Sequence, residues 1–159
     1  GSAEFDLDLV MFECDKAKRC IDENHMIYFH NLEDPEHAIK HSGDNRTGAG
    51  DGDDESATIK FANISDKVEA IIIVVSIYNA KANGQNFGLV DNAYIRMVNT
   101  ETGEEILRYD LGEDFSTQTS VVFAEVYKNN GEWKFRAVGE GYEKELEALC
   151  YEYGLEVDN

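Results

Sequence analysis

Apolar residues recur mostly at every second position along this chain, a spacing typical of strands that bury one face. In the first such stretch the apolar side carries Phe5, Leu7, Leu9 and Met11. Asp6 and Asp8 share the opposite side, where two carboxylates lie about 7 Å apart along a strand. The run 70–78 is almost continuously apolar and β-branched, so we predict that it is the central strand and is covered on both faces.

The rest of the chain repeats this alternation and changes period only at its end. Further strands are predicted at residues 25–30, 58–61, 93–99, 105–111, 119–128 and 133–138. Gly103 and the pair Asn130-Gly131 mark tight turns, so the last four of these strands form two successive hairpins. The tail has helical spacing and a stop at Gly154, with one apolar face formed by Leu146, Leu149, Cys150 and Tyr153.

These elements predict a mainly β protein, an antiparallel β-sandwich with a short C-terminal helix. With 159 residues the chain is long enough for one core, and we assign residues 3–157 to a single domain. Gly1-Ser2 is typical of an expression-tag remnant. The sequence has no apolar run of membrane-spanning length and no signal segment at its start, so we expect a cytoplasmic protein.

The most unusual segment is the stretch 44–55, which holds five carboxylates, one amide and three glycines in twelve residues. Carboxylates this close repel one another, and several kcal/mol can be at stake near a protein surface. Calcium relieves such repulsion because it accepts six to eight oxygen ligands in irregular geometry, backbone carbonyls among them. Glycines allow the backbone to turn its carbonyls inward. The segment therefore predicts a calcium-binding loop, with a solvated acidic turn as the alternative.

Two commoner loop motifs do not fit this segment. Counted from Asp44 it has the length of an EF-hand loop, but Arg46, Gly48 and Ala49 occupy positions three, five and six. A phosphate-binding loop needs a lysine that is missing here, and the surrounding acids would repel phosphate. The segment is thus a single-copy acidic loop of another kind.

The amino-acid composition disfavours some classes of binding partner. The formal net charge is −19, from 33 acidic and 14 basic residues, which disfavours nucleic acid and direct membrane insertion. The three cysteines form no C-x-x-C motif, so reduced thiols are expected, with Cys150 in the core and Cys14 and Cys20 beside an exposed charged turn. No two of the four histidines form an i, i+4 pair within a predicted helix, and we expect no zinc site among His25, His30, His37 and His41.

Three segments together resemble the TerD family of tellurium-resistance and stress-response proteins. They are Phe5-Asp6-Leu7-Asp8, Gly43-Asp44-Asn45-Arg46-Thr47-Gly48 and Gly50-Asp51-Gly52-Asp53-Asp54-Glu55. The resemblance continues through Gln85-Asn86-Phe87-Gly88, Ala93-Tyr94-Ile95-Arg96, Arg108-Tyr109-Asp110-Leu111 and the run 130–139. It therefore covers nearly the whole chain.

This resemblance implies a calcium-binding β-sandwich with two neighbouring Ca²⁺ ions and no established enzymatic activity. It also implies protein partners in a bacterial stress-response complex, often including a membrane partner. Family members usually carry an additional strand segment ahead of Phe5, whereas only Gly1 to Glu4 stand there in this sequence. We therefore expect an open sheet edge through which the chain could self-associate.

The predicted metal ligands come from the acidic loop and the adjacent strand. They are the side chains of Asp6, Asp8, Asp44, Asn45, Asp53, Asp54 and Glu55 and the carbonyls of Thr47, Gly50 and Gly52. Asp51 is a second-choice ligand, and Arg46 is expected to orient a carboxylate. Asp110 and Asp114 are candidates for a second site or, equally, acids that end a strand or form a turn.

Three classes of function follow from these residues. The leading hypothesis is a calcium-dependent, non-enzymatic binding or scaffold module in a tellurite-resistance and general stress-response system. The first alternative is a metal-dependent hydrolase, although the sequence offers no Ser/His/Asp or Cys/His constellation. The second is direct capture of a metal oxyanion by Cys14 and Cys20, which the negative net charge opposes.

Overall fold

The computed structural model describes residues 7–43, 55–90 and 93–156 of the chain. In chain order the strands of these residues are β1 (Leu7–Cys14), β2 (Met26–Ile27), β3 (Ile39–His41), β4 (Ala57–Ile59), β5 (Ala70–Ile77), β6 (Tyr94–Val98), β7 (Glu105–Asp110), β8 (Ser120–Asn129) and β9 (Glu132–Tyr142). The α-helices are α1 (Leu111–Asp114) and α2 (Leu146–Glu152).

The main sheet has five strands in the order β2-β1-β5-β8-β9, and every neighbouring pair is antiparallel. Strand β5 lies at its centre, and all eight of its residues are buried. This confirms the central, doubly covered strand predicted from the β-branched run 70–78. A strand buried on both faces needs apolar side chains at odd and even positions alike.

Two antiparallel ribbons, β3-β4 and β6-β7, cover one face of the main sheet. Met11, Ile73 and Phe123 of the sheet form one core with Ile39, while Met97 of the second ribbon packs against it. The apolar residues of the ribbons thus face those of the sheet. The predicted β-sandwich is confirmed in this two-layer arrangement.

The opposite face of the sheet is covered by α2. Phe12 and Val74 of the sheet pack with Leu149 and Cys150 of the helix, and the four are almost fully buried. The helix ends as predicted, because Gly154 adopts φ +81° and the next amide N–H donates to the carbonyl of Cys150 at 2.9 Å.

Strand β1 differs from its prediction, since both of its faces are buried. Leu9 and Met11 contact the core under the ribbons, while Val10 and Phe12 contact the core under α2. The side that carries Asp8 is therefore not solvated, and Asp8 itself is only 2% exposed. The cause is the position of β1 inside the sheet, between β2 and β5, which alternation within the strand did not reveal.

The predicted strand at residues 25–30 is reduced to the two residues of β2. His25 belongs to a 3-10 turn, and Tyr28 and Asn31 close a tight turn by exchanging two backbone hydrogen bonds of 3.0 and 2.9 Å. The predicted hairpins are confirmed. At the β8–β9 turn, Asn130 and Gly131 have φ of 53° and 78°, the left-handed conformations that such a turn requires.

None of the helices in the described ranges is both long enough and apolar enough to span a membrane.

Candidate functional site

Most of the predicted metal ligands lie outside the described residues. These are Asp6, Asp44, Asn45, Thr47, Gly50, Gly52, Asp53 and Asp54, together with Arg46 and Asp51. Asp8 and Glu55 are described, as are the residues on which the loop begins and ends. The structure therefore tests how the acidic segment is held against the sheet.

The end of the acidic segment is attached to β1 through Glu55. Its carboxylate oxygen Oε1 accepts a hydrogen bond of 3.1 Å from the backbone N–H of Leu9. The same oxygen lies 3.2 Å from Nε2 of His41, and the Glu55 side chain is only 5% exposed. The N–H of Leu9 therefore compensates part of the burial of this carboxylate.

The start of the acidic segment is attached to the same point through His41, whose side chain is fully buried. Its Nδ1 accepts a hydrogen bond of 2.9 Å from the backbone N–H of Gly43, so the ring proton resides on Nε2. Nε2–H in turn donates to the carbonyl of Leu9 at 2.9 Å. One histidine tautomer thus joins the two ends of the acidic segment to one residue of β1.

Asp8 immediately precedes this attachment point. It pairs with Ser76 of β5 across the sheet, in a continuous register without a bulge. Both side chains are 2% exposed, so this polar position is enclosed by the fold. Asp8 is thus next in the chain to Leu9, to which both Glu55 and His41 are bonded.

The chemistry of this position fits a hard cation. The second carboxylate oxygen of Glu55, Oε2, is buried and has no hydrogen-bond donor among the residues described. An ionised oxygen enclosed in this way is destabilising unless a proton or a cation approaches it. Carboxylate oxygen is also the ligand that Ca²⁺ prefers. Glu55 can thus be oriented by Leu9 and His41 through one oxygen and bind a cation through the other.

A second cluster of polar side chains lies near the other end of β1. Ligand atoms of Glu13, His25 and Glu36 all lie within 4.8 Å of one another. The His25 ring is held between two carboxylates, with Nδ1 2.7 Å from Asp22 Oδ1 and Nε2 2.7 Å from Glu36 Oε1. Burial lowers the pKa of His25, but the two carboxylates outweigh burial and raise the pKa above its usual value.

Glu13 is the most deeply enclosed member of this cluster, with no exposed surface. Burial is the largest cause that raises its pKa to about 9, and the neighbouring carboxylates of Asp34, Glu36 and Asp22 raise it in the same direction. Without a bound cation, Glu13 is therefore a neutral carboxylic acid at neutral pH.

His25 and His41 both have polar partners, which stand 2 to 32 residues away along the chain. Helical i, i+4 spacing does not indicate such partners in a β protein.

Asp110 has a local structural role rather than one in a second metal site. Its Oδ1 accepts a hydrogen bond of 3.0 Å from the backbone N–H of Glu113 and so caps the N-terminus of α1. Asp114 is exposed in the same short helix. These positions match the alternative of strand-end and turn acids.

The cysteines are free and all three are buried, which corrects the expected exposure of Cys14 and Cys20. Burial is the largest cause that raises the pKa of Cys20 to about 12 and that of Cys150 to about 11. Burial raises the pKa of Cys14 as well. Protonated, enclosed thiols are poor nucleophiles and poor metal ligands, so the geometry disfavours oxyanion capture by Cys14 and Cys20.

The fold and site together define a β-sandwich protein in which an acidic loop is held at both ends beside a buried aspartate. The family model of the TerD domain matches residues 1–153, and the chain belongs to this family.

Among its relatives, the chain is 45% identical to general stress protein 16U of Bacillus subtilis (strain 168), over 99% of this chain and 81% of that protein. It is 46% identical to the tellurium resistance protein TerD of Serratia marcescens, over 96% and 79% of the two chains. A crystal structure of a TerD homologue from Streptomyces coelicolor A3(2) superimposes with a TM-score of 0.81, covering 98% of this chain and 90% of the other. At 23% identity that likeness concerns the fold alone.

Proposed function

We propose that this protein is a calcium-binding, non-enzymatic binding or scaffold module of a bacterial tellurite-resistance and general stress-response system. The observation that carries the proposal is the attachment of both ends of the acidic segment to Leu9, through His41 and Glu55. The described residues on either side of the segment, Gly43 and Glu55, are thereby linked to the residue that follows the buried Asp8.

The residues that would hold calcium are those predicted from the sequence. Asp8 and Glu55 belong to the described part, and the unpartnered Oε2 of Glu55 supports the assignment. The loop ligands Asp44, Asn45 and Asp53, with their neighbours 47, 50, 52 and 54 and with Asp6 on the strand, stay a prediction. Bound Ca²⁺, two ions in this proposal, would supply the positive charge that this group of carboxylates needs.

The states of the buried histidines and cysteines support a non-enzymatic role. Both ring nitrogens of His41 are engaged by backbone groups, so this ring has no nitrogen available as a general base. The thiols are protonated at neutral pH. A catalytic role would need a nucleophile or a base that these residues do not provide.

The biological setting in the proposal follows the relatives. Their names refer to tellurium resistance, general stress and, in Clostridium acetobutylicum, resistance to chemical damage. The net charge of −19 favours calcium and protein partners over nucleic acid. In this proposal calcium orders the acidic loop in the cytoplasm, and the ordered loop shapes a surface for partners of a stress-response complex, including membrane-associated ones.

The test is calorimetric titration of chelator-stripped protein with Ca²⁺ and, separately, Mg²⁺, with the melting temperature recorded before and after. We expect micromolar or tighter Ca²⁺ binding, a large rise in melting temperature and little response to Mg²⁺. Asp44→Ala and Asp53→Ala should each abolish most of the binding. Asp66→Asn, which changes an exposed acid outside the loop, is the matched control and should bind as the wild type does.

Unchanged calcium affinity in both loop variants would contradict the calcium assignment. The non-enzymatic part is tested separately by a broad hydrolase screen with and without metal. Metal-dependent turnover that disappears in Asp53→Ala would replace the proposed scaffold role with an enzymatic one.

A further inference from the structure

The cluster around His25 contains a buried acid for which the proposed calcium site has no use. Glu13 projects from β1 towards the ribbon side of the sheet, on the same face as Met11. Asp8 is five residues away and on the opposite face, so the two carboxyls are separated by about 17 Å along the strand. The cluster is thus distinct from the site at Asp8.

The Glu13 side chain is fully buried, and neither of its carboxyl oxygens receives a hydrogen bond from an N–H or hydroxyl group of the described residues. Its hydrogen-bond partner is Asp34, another buried carboxyl. Asp34 uses Oδ1 to accept the backbone N–H groups of Ala38 and Ile39 at 2.7 and 3.0 Å, and its Oδ2 is also without a donor. Oxygen atoms enclosed without donors indicate a position for a positive species.

The fold supplies no basic side chain for this purpose. Within the described ranges, the ion pairs of Glu36 and Asp22 are both with His25, and no lysine or arginine pairs with Glu13 or Asp34. One imidazole is therefore the cationic partner of four carboxyl groups. A divalent ion would correct this imbalance.

His25 is oriented as a metal-binding histidine is. When Nδ1–H donates to Asp22 at 2.7 Å, Nε2 is the nitrogen that lies 2.7 Å from Glu36 Oε1, in the cluster that also contains Glu13. Metal-ligating histidines commonly donate their other ring N–H to a carboxylate in this way, which fixes the tautomer and the ring plane. Asp22 is therefore a positioning residue, while Nε2 is the ligand atom.

We propose that Glu13, His25 and Glu36 form a second metal site, specific for a divalent transition ion of the zinc class. One nitrogen and two carboxylate ligands, with the neighbouring Asp34 as a fourth, suit tetrahedral Zn²⁺ better than Ca²⁺, which binds oxygen alone. Ligand atoms around zinc lie roughly 3.4 Å apart. The three ligand atoms here lie within 4.8 Å of one another, and Glu36, whose side chain is 31% exposed, is the ligand with the most access to solvent.

The half-exposed side chains of Glu36 and Asp22 also provide an entry path, because both reach the surface while Glu13 and His25 do not. Metal binding would replace the proton shared between Nε2 and Glu36 and any proton on Glu13, since ligands bind in their deprotonated forms.

The experiment is calorimetric titration with Zn²⁺ of protein whose acidic loop is already saturated with Ca²⁺. We expect one equivalent of Zn²⁺ in the wild type. His25→Gln and Glu13→Gln should each reduce the zinc affinity at least tenfold, and Asp22→Asn should reduce it by about 10- to 100-fold, as changes to orienting residues do. The far-ultraviolet circular dichroism spectra of all three should match that of the wild type, which shows that they are folded whether or not the loop binds Ca²⁺ and keeps this test independent of the proposed function. Where the loop does bind Ca²⁺, its calcium affinity should be unchanged in all three.

The matched control is His37→Asn. His37 lies on the same segment, is 71% exposed and has φ of 61°, a conformation that asparagine accepts readily. Its zinc affinity should equal that of the wild type. A nitrogen-detected NMR spectrum of the imidazoles provides a second readout, in which Zn²⁺ should shift Nε2 of His25 and leave His41 unchanged.

Absence of zinc binding by the wild type would overturn the proposal. So would zinc binding that persists at full strength in both His25→Gln and Glu13→Gln, because it would then reflect the acidic surface or the loop. A shift of His41 with none of His25 would place the ion at the loop and equally contradict the assignment.

Discussion

Strand β1 carries a buried carboxyl near each end, and the two surroundings differ. Beside Asp8, the carboxylate of Glu55 accepts a hydrogen bond from the N–H of Leu9 and lies 3.2 Å from Nε2 of His41. At the other end, Glu13 has carboxyl neighbours and no donor among the described residues. The comparison shows that burial alone does not decide the state of an acid. Donors stabilise the ion, whereas neighbouring acids favour a proton or a metal ion.

The largest effect is expected from His41→Leu. This change removes the donor to the Leu9 carbonyl, the contact with Glu55 and the acceptor for Gly43, all in a fully buried position. We expect a loss of about 3 kcal/mol of unfolding free energy, or roughly 6–12 °C in melting temperature. Thermal unfolding followed by circular dichroism measures it.

Two controls sharpen this prediction. His30→Leu changes an exposed histidine and should stay within about 0.5 kcal/mol of the wild type. His25→Leu should cost only about 1 kcal/mol without metal, because its partners Asp22 and Glu36 are partly exposed and regain water. Equal losses in His41→Leu and His25→Leu would remove the distinction between the two ends of β1.

The next largest effect is expected on calcium affinity, which should differ between variants at the two ends of β1. Asp8→Asn keeps the shape of the side chain but removes a charge beside the attachment of the acidic segment. We expect calcium to bind on the order of 100-fold more weakly, equivalent to about 2.7 kcal/mol. Glu13→Gln, the matched change at the other end, should leave calcium affinity unaltered, and a comparable loss in both would refute the separation of the sites.

The third prediction concerns pH in metal-free protein. The folded-state pKa of Glu13 is about 9 and its ordinary value is 4.5, so the folded state holds a proton that the unfolded state has lost. The contribution of Glu13 to the free energy of unfolding is fully present below pH 4.5. It decreases as the pH rises towards 9, by at most about 1.4 kcal/mol per pH unit. His25, with a raised pKa, acts in the same direction.

Glu13→Gln removes the titrating group and keeps a neutral side chain of the same size. The variant should match the wild type near pH 4.5 and exceed it by about 2 kcal/mol at pH 8, or roughly 4–8 °C in melting temperature. Melting curves from pH 5 to 8 with chelator present measure the difference. A difference that stays constant across this range would show that Glu13 is ionised in the folded protein.

The smallest effect is expected when Glu13 is given a hydrogen-bond donor, such as Glu55 already has. In Asp34→Asn the side-chain oxygen can still accept from Ala38 and Ile39, while the new NH₂ group can donate to Glu13. We expect the pH dependence to become shallower and stability at pH 8 to rise by about 1 kcal/mol. A loss of stability at every pH would indicate that the Asp34 charge is needed for its turn.

Local patterns account for the parts of the fold that could be predicted. The run 70–78 indicated a doubly covered strand because apolar residues occupy both parities, and β5 is central and fully buried. The Asn130-Gly131 turn and the stop of α2 at Gly154 were predictable because left-handed φ values favour these residue types. The shortness of β2 was not, because it depends on the turn closed between Tyr28 and Asn31.

The acidic segment and the cluster around His25 also differ in how far the sequence could predict them. The acidic segment could be recognised because its acids are contiguous, and contiguous charges repel regardless of the fold around them. The meeting of Glu13, His25 and Glu36 has no local signature, since each comes from a different part of the chain and only sheet pairing and the turn at Asp34 bring them together. The sequence by itself determined the β class, the family and the acidic loop. Tertiary structure alone decided which acids are buried and which have donors, because burial and hydrogen bonding depend on residues distant in the chain.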